Sequence, residues 1–287
     1  MKNYRHFNIS LLVIIPIILC LYIGSIYFFY TDEKDNSFSI QTYFEFKEGH
    51  AKEIKGNKIL FSSGSNNFLG IRAYQIQEEY EVPAFNLSIH AGLGTEYIIE
   101  RVKKIAKTGD IIILPLEYGN LAYDGDQSIV LNKYLLSHDK QYFNSKYDLT
   151  DKLAILSSIS ILDLFSNLFF PISVVEKGQM KSKFLKDLNK NGDMLNMIIH
   201  DTLKTKKNPF KLPDSFSKET IGLKAIAEFN TYCKENNIYL YISFPNIVKD
   251  PAYETENYTS YFSFLDSYFK INKISVIGSP HDAMYPR

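Results

Sequence analysis

The longest uninterrupted apolar run lies near the start of the chain. Leu11 to Tyr30, LLVIIPIILCLYIGSIYFFY, carries no charge and has the length of roughly 20 residues that a helix needs to cross a bilayer. Lys2 and Arg5 precede it and TDEKD follows. By the positive-inside bias, the N-terminus is cytoplasmic and the chain after about Asp32 lies outside the membrane. Phe28, Phe29 and Tyr30 stand where a cleaved signal peptide needs small residues, and Leu19 before Cys20 is too bulky for lipoprotein processing. The run is therefore read as an uncleaved, single-pass signal anchor in which Pro16 is tolerated. A buried core helix is the alternative reading.

Residues 32–56 are mixed and polar and read as a juxtamembrane linker, with an edge strand at FSIQTYFEF. From residue 57 the pattern alternates. NKILFSS (57–63) predicts a short buried strand, followed by a helix through about Tyr80. VPAFNLS (82–88) predicts a second strand, and GTEYIIERVKKIAKTG (94–109) an amphipathic helix. DIIILPLEY (110–118) is the clearest buried strand. Residues 120–215 break this rhythm with apolar helical stretches such as 151–170, then the polar EKGQMKSKFLKDLNKNGD, read as exposed. This segment is expected to be a helical insertion or cap over the sheet. The alternation returns with a helix at 217–237, whose Ser217 and Glu219 suit a first turn, a strand at 238–245, a helix near 255–269 and a strand at 274–278. Strands alternating with helices predict an α/β fold: a three-layer, doubly wound, flavodoxin-like parallel sheet over 57–287.

Composition changes this picture little. The 32 basic residues balance the 32 acidic ones, so no global charge points to nucleic acid. The two cysteines, Cys20 in the apolar run and Cys233 on a predicted helix, offer no disulfide within the α/β part. No Cys/His cluster has metal-ligand spacing, so no metal and no organic cofactor is expected.

Ligands of a doubly wound sheet bind beyond the carboxyl ends of its strands. That rule selects three loops. In Ser63-Gly64-Ser65-Asn66, Ser65 is either a helix cap or a nucleophile at a helix N-terminus, where exposed N–H groups favour an oxyanion. In NLSIHAGLGT, Gly92 and Gly94 allow close backbone approach, and His90 is either a structural histidine or a base. In LPLEYGN, Glu117 and Asn120 are either an exposed strand end or polar groups aimed into the cleft.

In this order the three segments resemble the SGNH (GDSL-like) hydrolase superfamily, nearest to its membrane-anchored, extracytoplasmic branch in bacterial polysaccharide and cell-envelope gene sets. The resemblance covers residues 57–120 well and 237–287 loosely. Ser63-Gly64-Ser65-Asn66 corresponds to the family's Gly-x-Ser block, and Asn86-Leu87-Ser88 followed by Gly92 to its second block. The family's oxyanion asparagine has Glu117 or Asn120 in its place. The resemblance implies a serine O-acyltransferase or esterase acting on acyl esters of cell-surface polysaccharide, with Ser65 as nucleophile and the Ser65 and Gly92 N–H groups as oxyanion donors. One departure matters. The family's late Asp-x-x-His, its base and orienting acid, is absent from these 287 residues. His281 has Gly278 three places before it, so His281 and His90 remain as candidate bases, or the chain is a shortened form. Without a positioned base a serine hydroxyl is a poor nucleophile, and weak or absent activity is expected. The alternative is a non-catalytic envelope protein binding glycan or an assembly complex through the same cleft. A nucleotide-binding domain is disfavoured, since no Gly-rich phosphate loop is present.

Overall fold

The computed structural model describes residues 2–32, 36–125, 128–195, 209–212 and 218–285. The chain divides into two compact units: Met1–Gln41 with Gln127–Met180, and Thr42–Asp126 with Lys181–Arg287.

The first unit is helical. Helix α1, Lys2–Phe29, contains Pro16, and its stretch Ser10–Phe29 is apolar and long enough to cross a membrane. Against it pack helices of the insertion: α9 (Leu149–Ser157) and α10 (Ile161–Phe169) directly, α8 (Lys140–Lys146) through Phe143 on Tyr27, and α7 (Ile129–His138) by way of α8. Polar ties fasten them: Tyr22 Oη donates to the Ile159 carbonyl at 2.6 Å, Lys140 Nζ to the Tyr27 carbonyl at 2.8 Å, the Asp32 N–H to Ser137 Oγ at 2.7 Å, and Asn144 Nδ2 to Tyr27 Oη at 3.1 Å. The middle of the insertion, Gln127–Met180, thus forms a unit with the apolar helix.

The supposed linker and edge strand is a helix, α2 (Asn36–Glu53). Besides Thr42, its buried positions are Ser37, Ile40, Phe44, Lys47 and Ala51, spaced three, four, three and four apart in a helical stripe. Two members of the stripe, Ser37 and Lys47, are polar, so the hydrophobic pattern alone showed only the misleading alternation of Phe38, Ile40 and Thr42.

The second unit holds a five-stranded, wholly parallel sheet: β1 (Ile59–Phe61), β2 (Ala84–Asn86), β3 (Ile111–Leu114), β4 (Tyr239–Ser243) and β6 (Ser275–Ile277), in the order β2-β1-β3-β4-β6. A parallel pair, β5 (Ile247–Val248) and β7 (Met284–Tyr285), was not anticipated from the sequence. The expected single helix after β1 is broken at Ile71-Arg72 into α3 (Ser65–Gly70) and α4 (Ala73–Tyr80). Helices α5 (Gly94–Lys103), α6 (Tyr118–Leu121), α11 (Val174–Leu185), α12 (Ile221–Glu235) and α13 (Glu256–Ile271) complete the chain order. Thr220 caps α12 through its hydroxyl, accepting from the Leu223 N–H at 3.1 Å, while Ser217 lies outside the described residues.

The polar segment after α11 is exposed only in part. Asn191 and Asp193 are buried, and Asp193 accepts from the Ala73 and Tyr74 N–H groups at 2.9 Å each. It supplies α4 with the N-terminal cap that its own N-cap residue, Arg72, does not.

At the amino edge of the sheet, Lys58 and Asp110, each one residue before its strand, form a fully buried ion pair of 2.8 Å. Asp110 also accepts from the N–H groups of Lys58 (3.1 Å) and Lys107 (2.8 Å), so neither charge is left unsolvated. Removing one partner strands the other charge. Asp110→Ala is expected to destabilise the protein by about 3–5 kcal/mol, and the double change Lys58→Met with Asp110→Leu by clearly less. Denaturant midpoints of the detergent-solubilised chain check the order.

Candidate functional site

The sheet order reverses between β1 and β3, and loops following β1, β2 and β3 meet at that carboxyl edge. Three serines with different surroundings follow β1, two in the connection and one at the head of α3. Ser62 and Ser63 are buried. Ser63 Oγ lies 2.6 Å from the Pro115 carbonyl and 3.0 Å from Glu117 Oε2, so its one proton is shared between two acceptors. Ser65, the first residue of α3, is exposed, and neither its hydroxyl nor its N–H is hydrogen-bonded to a described residue. Of the three, only Ser65 offers a hydroxyl to an approaching molecule.

Glu117 lies beyond the strand end, as the residue capping α6, and its carboxylate reaches back across the reversal point. Oε2 accepts from the Gly64 N–H at 3.1 Å and Oε1 from the Asn66 N–H at 3.1 Å, with Asn120 Nδ2 at 3.4 Å from Oε2. The α3 N-terminus has no side-chain cap of its own, so Glu117 acts as its cap from 51 residues away in sequence. The carboxylate holds the two N–H groups that flank Ser65 and leaves the Ser65 N–H itself open. Asn120 is buried, its carbonyl accepting from Thr95 Oγ1 at 2.7 Å.

The loop after β2 presses on the same turn. A Cβ on Gly64 would collide with the backbone of Ala91 and with Glu117 Oε1, so glycine is required here by close approach. The Gly92 N–H donates to His90 Nδ1 at 3.0 Å. That bond places the proton of the neutral ring on Nε2, and it occupies the N–H that sequence reasoning assigned to an oxyanion. Burial lowers the pKa of His90 from its ordinary 6.5, opposed by the nearby negative charge of Glu117.

Asn86 and Ser88, the second sequence block, are wholly buried behind α3. Asn67 Nδ2 donates to Ser88 Oγ at 2.7 Å, the Ser88 N–H to Asn86 Oδ1 at 3.0 Å, and Asn86 Nδ2 to the Asn67 carbonyl at 3.3 Å. Beneath this network Lys47 Nζ donates to the Ser88 carbonyl at 2.7 Å and sits 4.1 Å from the centre of the Phe68 ring. Burial pushes the Lys47 ammonium well below the ordinary lysine range, with Asp193 pulling the other way. Sequence reasoning missed Lys47 and Asn67. The three-four spacing through α2 was the one signal for the former, and Asn67, two places after Ser65, carried none.

His281 arrives by another route. The Asn66 Nδ2 donates to the Asn246 carbonyl at 3.0 Å, and β5, starting at the next residue, pairs with β7. The turn Ser279–Asp282 leads into β7, so the chain bearing His281 comes to the same edge of the sheet. Its ring packs edge-on against Phe262, 5.9 Å between centres, within an aromatic cluster that also contains Tyr118, Phe210, Tyr253 and Tyr261. Tyr118, Tyr253, Tyr261 and Phe262 are buried and serve as core. Neither His281 nor His90 is hydrogen-bonded to Ser65.

The cavity behind Ser62 and Ser63, lined by Phe44, Leu87, Leu93 and Val102, measures about 10 Å³, room for no more than a water. A wider cleft of about 550 Å³ opens beside Lys55, Pro83 and Lys190, where the chain enters β1 and β2, at the opposite ends of those strands from Ser65. Among the described residues, no group of His, Cys, Asp and Glu is arranged to hold a metal ion.

Two outcomes are expected. Glu117→Ala, which orphans the Gly64 and Asn66 N–H groups, lowers stability by about 1–3 kcal/mol in chemical denaturation. His90 has a folded pKa below its unfolded one, so the unfolded chain binds the extra proton. The stability this group contributes is present above pH 6.5 and is lost as pH falls from there through the lowered folded value. His90→Asn, which keeps an acceptor for the Gly92 N–H, flattens that part of a stability-versus-pH profile. Compared with protein-family models, curated proteins and solved structures, the chain matches none.

Proposed function

We propose that this chain is a membrane-anchored, extracytoplasmic serine O-acyltransferase or esterase of SGNH type, acting on acyl esters of cell-surface polysaccharide. The parallel order β2-β1-β3-β4-β6 supports reading the second unit as a doubly wound, flavodoxin-like domain, whose ligand crevice lies where the order reverses. The observation that carries the proposal is Ser65: an exposed hydroxyl at the head of a helix, with its own N–H unengaged, on a turn clamped by Glu117 and packed by Ala91. In this reading Ser65 Oγ attacks the acyl carbonyl, and the Ser65 N–H donates to the oxyanion that forms beside it. The leaving alcohol departs with a proton, and the acyl group passes to a sugar hydroxyl or to water. Glu117 is a positioning residue: it fixes the turn but touches no reacting atom.

Turnover is slow in this reading, because no histidine among the described residues is hydrogen-bonded to Ser65 and an unassisted serine hydroxyl is a weak nucleophile at neutral pH. The same fact favours a second reading, in which the edge around Ser65 binds glycan or an assembly partner without chemistry.

Incubation of the full chain with an activated acetyl ester separates the two. The expected result is a slowly formed adduct of one acetyl group, located at Ser65 by mass spectrometry and absent in Ser65→Ala. Acetylation that persists unchanged in Ser65→Ala, or no adduct at all, overturns the acyl-transfer reading. Glycan binding retained in Ser65→Ala then supports the second.

A further inference from the structure

The helical unit wears its apolar residues on the outside. In α10, Ile161, Leu162, Phe165, Leu168 and Phe169 are 45–76% exposed, and Leu164 is the buried member. At about 100° per residue those five side chains share one arc of roughly 120°. Asp163, Ser166 and Asn167 take the other side, and Asp163 is tied inward to Lys133 of α7 at 3.1 Å. A helix serving a water-soluble core turns its apolar arc inward; α10 turns it outward. Phe170 (71% exposed), Val174 (85%) and Val175 (70%) are further exposed apolar residues in the segment that follows the helix.

The tie to α1 sets the depth of this surface. Tyr22 holds the Ile159 carbonyl in the elbow between α9 and α10, two helices bent by 72° to one another. Tyr22 lies about 10 Å of helical rise before Phe29, the end of the apolar stretch. The continuously exposed part of that stretch is Ser10–Leu21, about 18 Å long, against roughly 30 Å of hydrocarbon, and exposure returns only at Phe28 and Phe29 on the face the helices leave uncovered. If the helices covering Tyr22–Tyr30 stood in water, α1 would be too short to cross. For α1 to span, the elbow has to sit below the lipid surface, at the depth of roughly 5–10 Å where amphipathic interfacial helices lie.

We infer that α10, with Phe170, Val174 and Val175, is bedded in the lipid of the leaflet around the C-terminal end of α1, as a second, in-plane attachment to the membrane. The inference rests on the reading that α1 spans. The occupant is lipid acyl chain and not a protein, because α10 packs against α1 itself and its apolar arc continues a surface that already needs lipid. A single span leaves the helical unit free to rotate about the α1 axis; a second attachment fixes its orientation to the bilayer plane.

The chain contains no tryptophan, so one introduced indole reports alone. Phe165→Trp, Leu12→Trp in α1 and Tyr80→Trp in α4 are each reconstituted as full chains in phosphatidylcholine–phosphatidylglycerol vesicles, with and without acyl-chain-brominated lipid. The F165W indole is expected to emit blue-shifted light, to lose at least half its intensity to brominated lipid and to resist aqueous iodide. L162W repeats the measurement from a second position. Y80W is expected to behave the opposite way. An F165W signal quenched by iodide and spared by brominated lipid overturns the inference, as does one shielded from both, which marks a protein partner. If L12W escapes brominated lipid too, the anchoring reading itself has failed; if L12W is quenched and F165W is not, the interfacial attachment alone has failed.

Discussion

The carboxyl edge of the sheet is organised by one carboxylate. Glu117 leaves the end of β3 and accepts hydrogen bonds from the backbone of the turn after β1, so two loops distant in sequence become one rigid ledge. Helix α3, only six residues long, has too few internal bonds to define its own start, and the ledge supplies that start. Ser65 is presented to solvent because its neighbours on both sides are held. Gly64 closes the assembly from the other side, since the Ala91 backbone occupies the space a side chain would need. Remote capping recurs in the next helix, where Asp193 does for α4 what Glu117 does for α3. Both short helices after β1 are therefore tertiary products, and neither would be expected to persist as an isolated peptide.

The two edges of the sheet use charge differently. At the amino edge, Lys58 and Asp110 neutralise one another in full burial, which secures the entry of β1 and β3 and fixes their relative register. At the carboxyl edge, the partners of the Glu117 carboxylate among the described residues are backbone N–H groups, the Ser63 hydroxyl and an amide instead of a cation. A cation there would have neutralised the edge; backbone donors leave it with a net negative group beside Ser65. His90, kept toward neutrality by burial, does not offset it.

What the sequence disclosed follows from which signals are local. The strands β1, β2 and β3 are visible because a buried parallel strand is a continuous apolar run, and Ile111–Leu114 is the plainest of them. Ser65, Gly64 and Glu117 could be nominated from strand ends alone. Their roles could not, because the Glu117 contacts join residues more than fifty positions apart. The helix α2 was hidden because two positions on its buried stripe are Ser37 and Lys47, whose burial is arranged by partners elsewhere: Asp32 for the first, Ser88 and Phe68 for the second. Asn191 and Asp193 were hidden for the same reason, in a stretch whose composition reads as solvated. The insertion was legible as helical; that it joins α1 depends on Tyr22 and Lys140 meeting carbonyl groups over a hundred residues away.

The position of the insertion also dictates the order in which the sheet can be finished during synthesis. Strand β3 sits between β1 and β4, and β4 begins at Tyr239, after every helix from α6 to α12 has been made. About 124 residues separate the two strands, which at ~5–20 residues per second is on the order of ten seconds of translation. Through that interval Ile111–Leu114 has a partner on one side only, and its other edge carries open N–H and carbonyl groups on an apolar, β-branched run. Such an edge is a template for pairing with any other extended chain. A nascent chain with this topology therefore carries that open edge until the ribosome delivers β4.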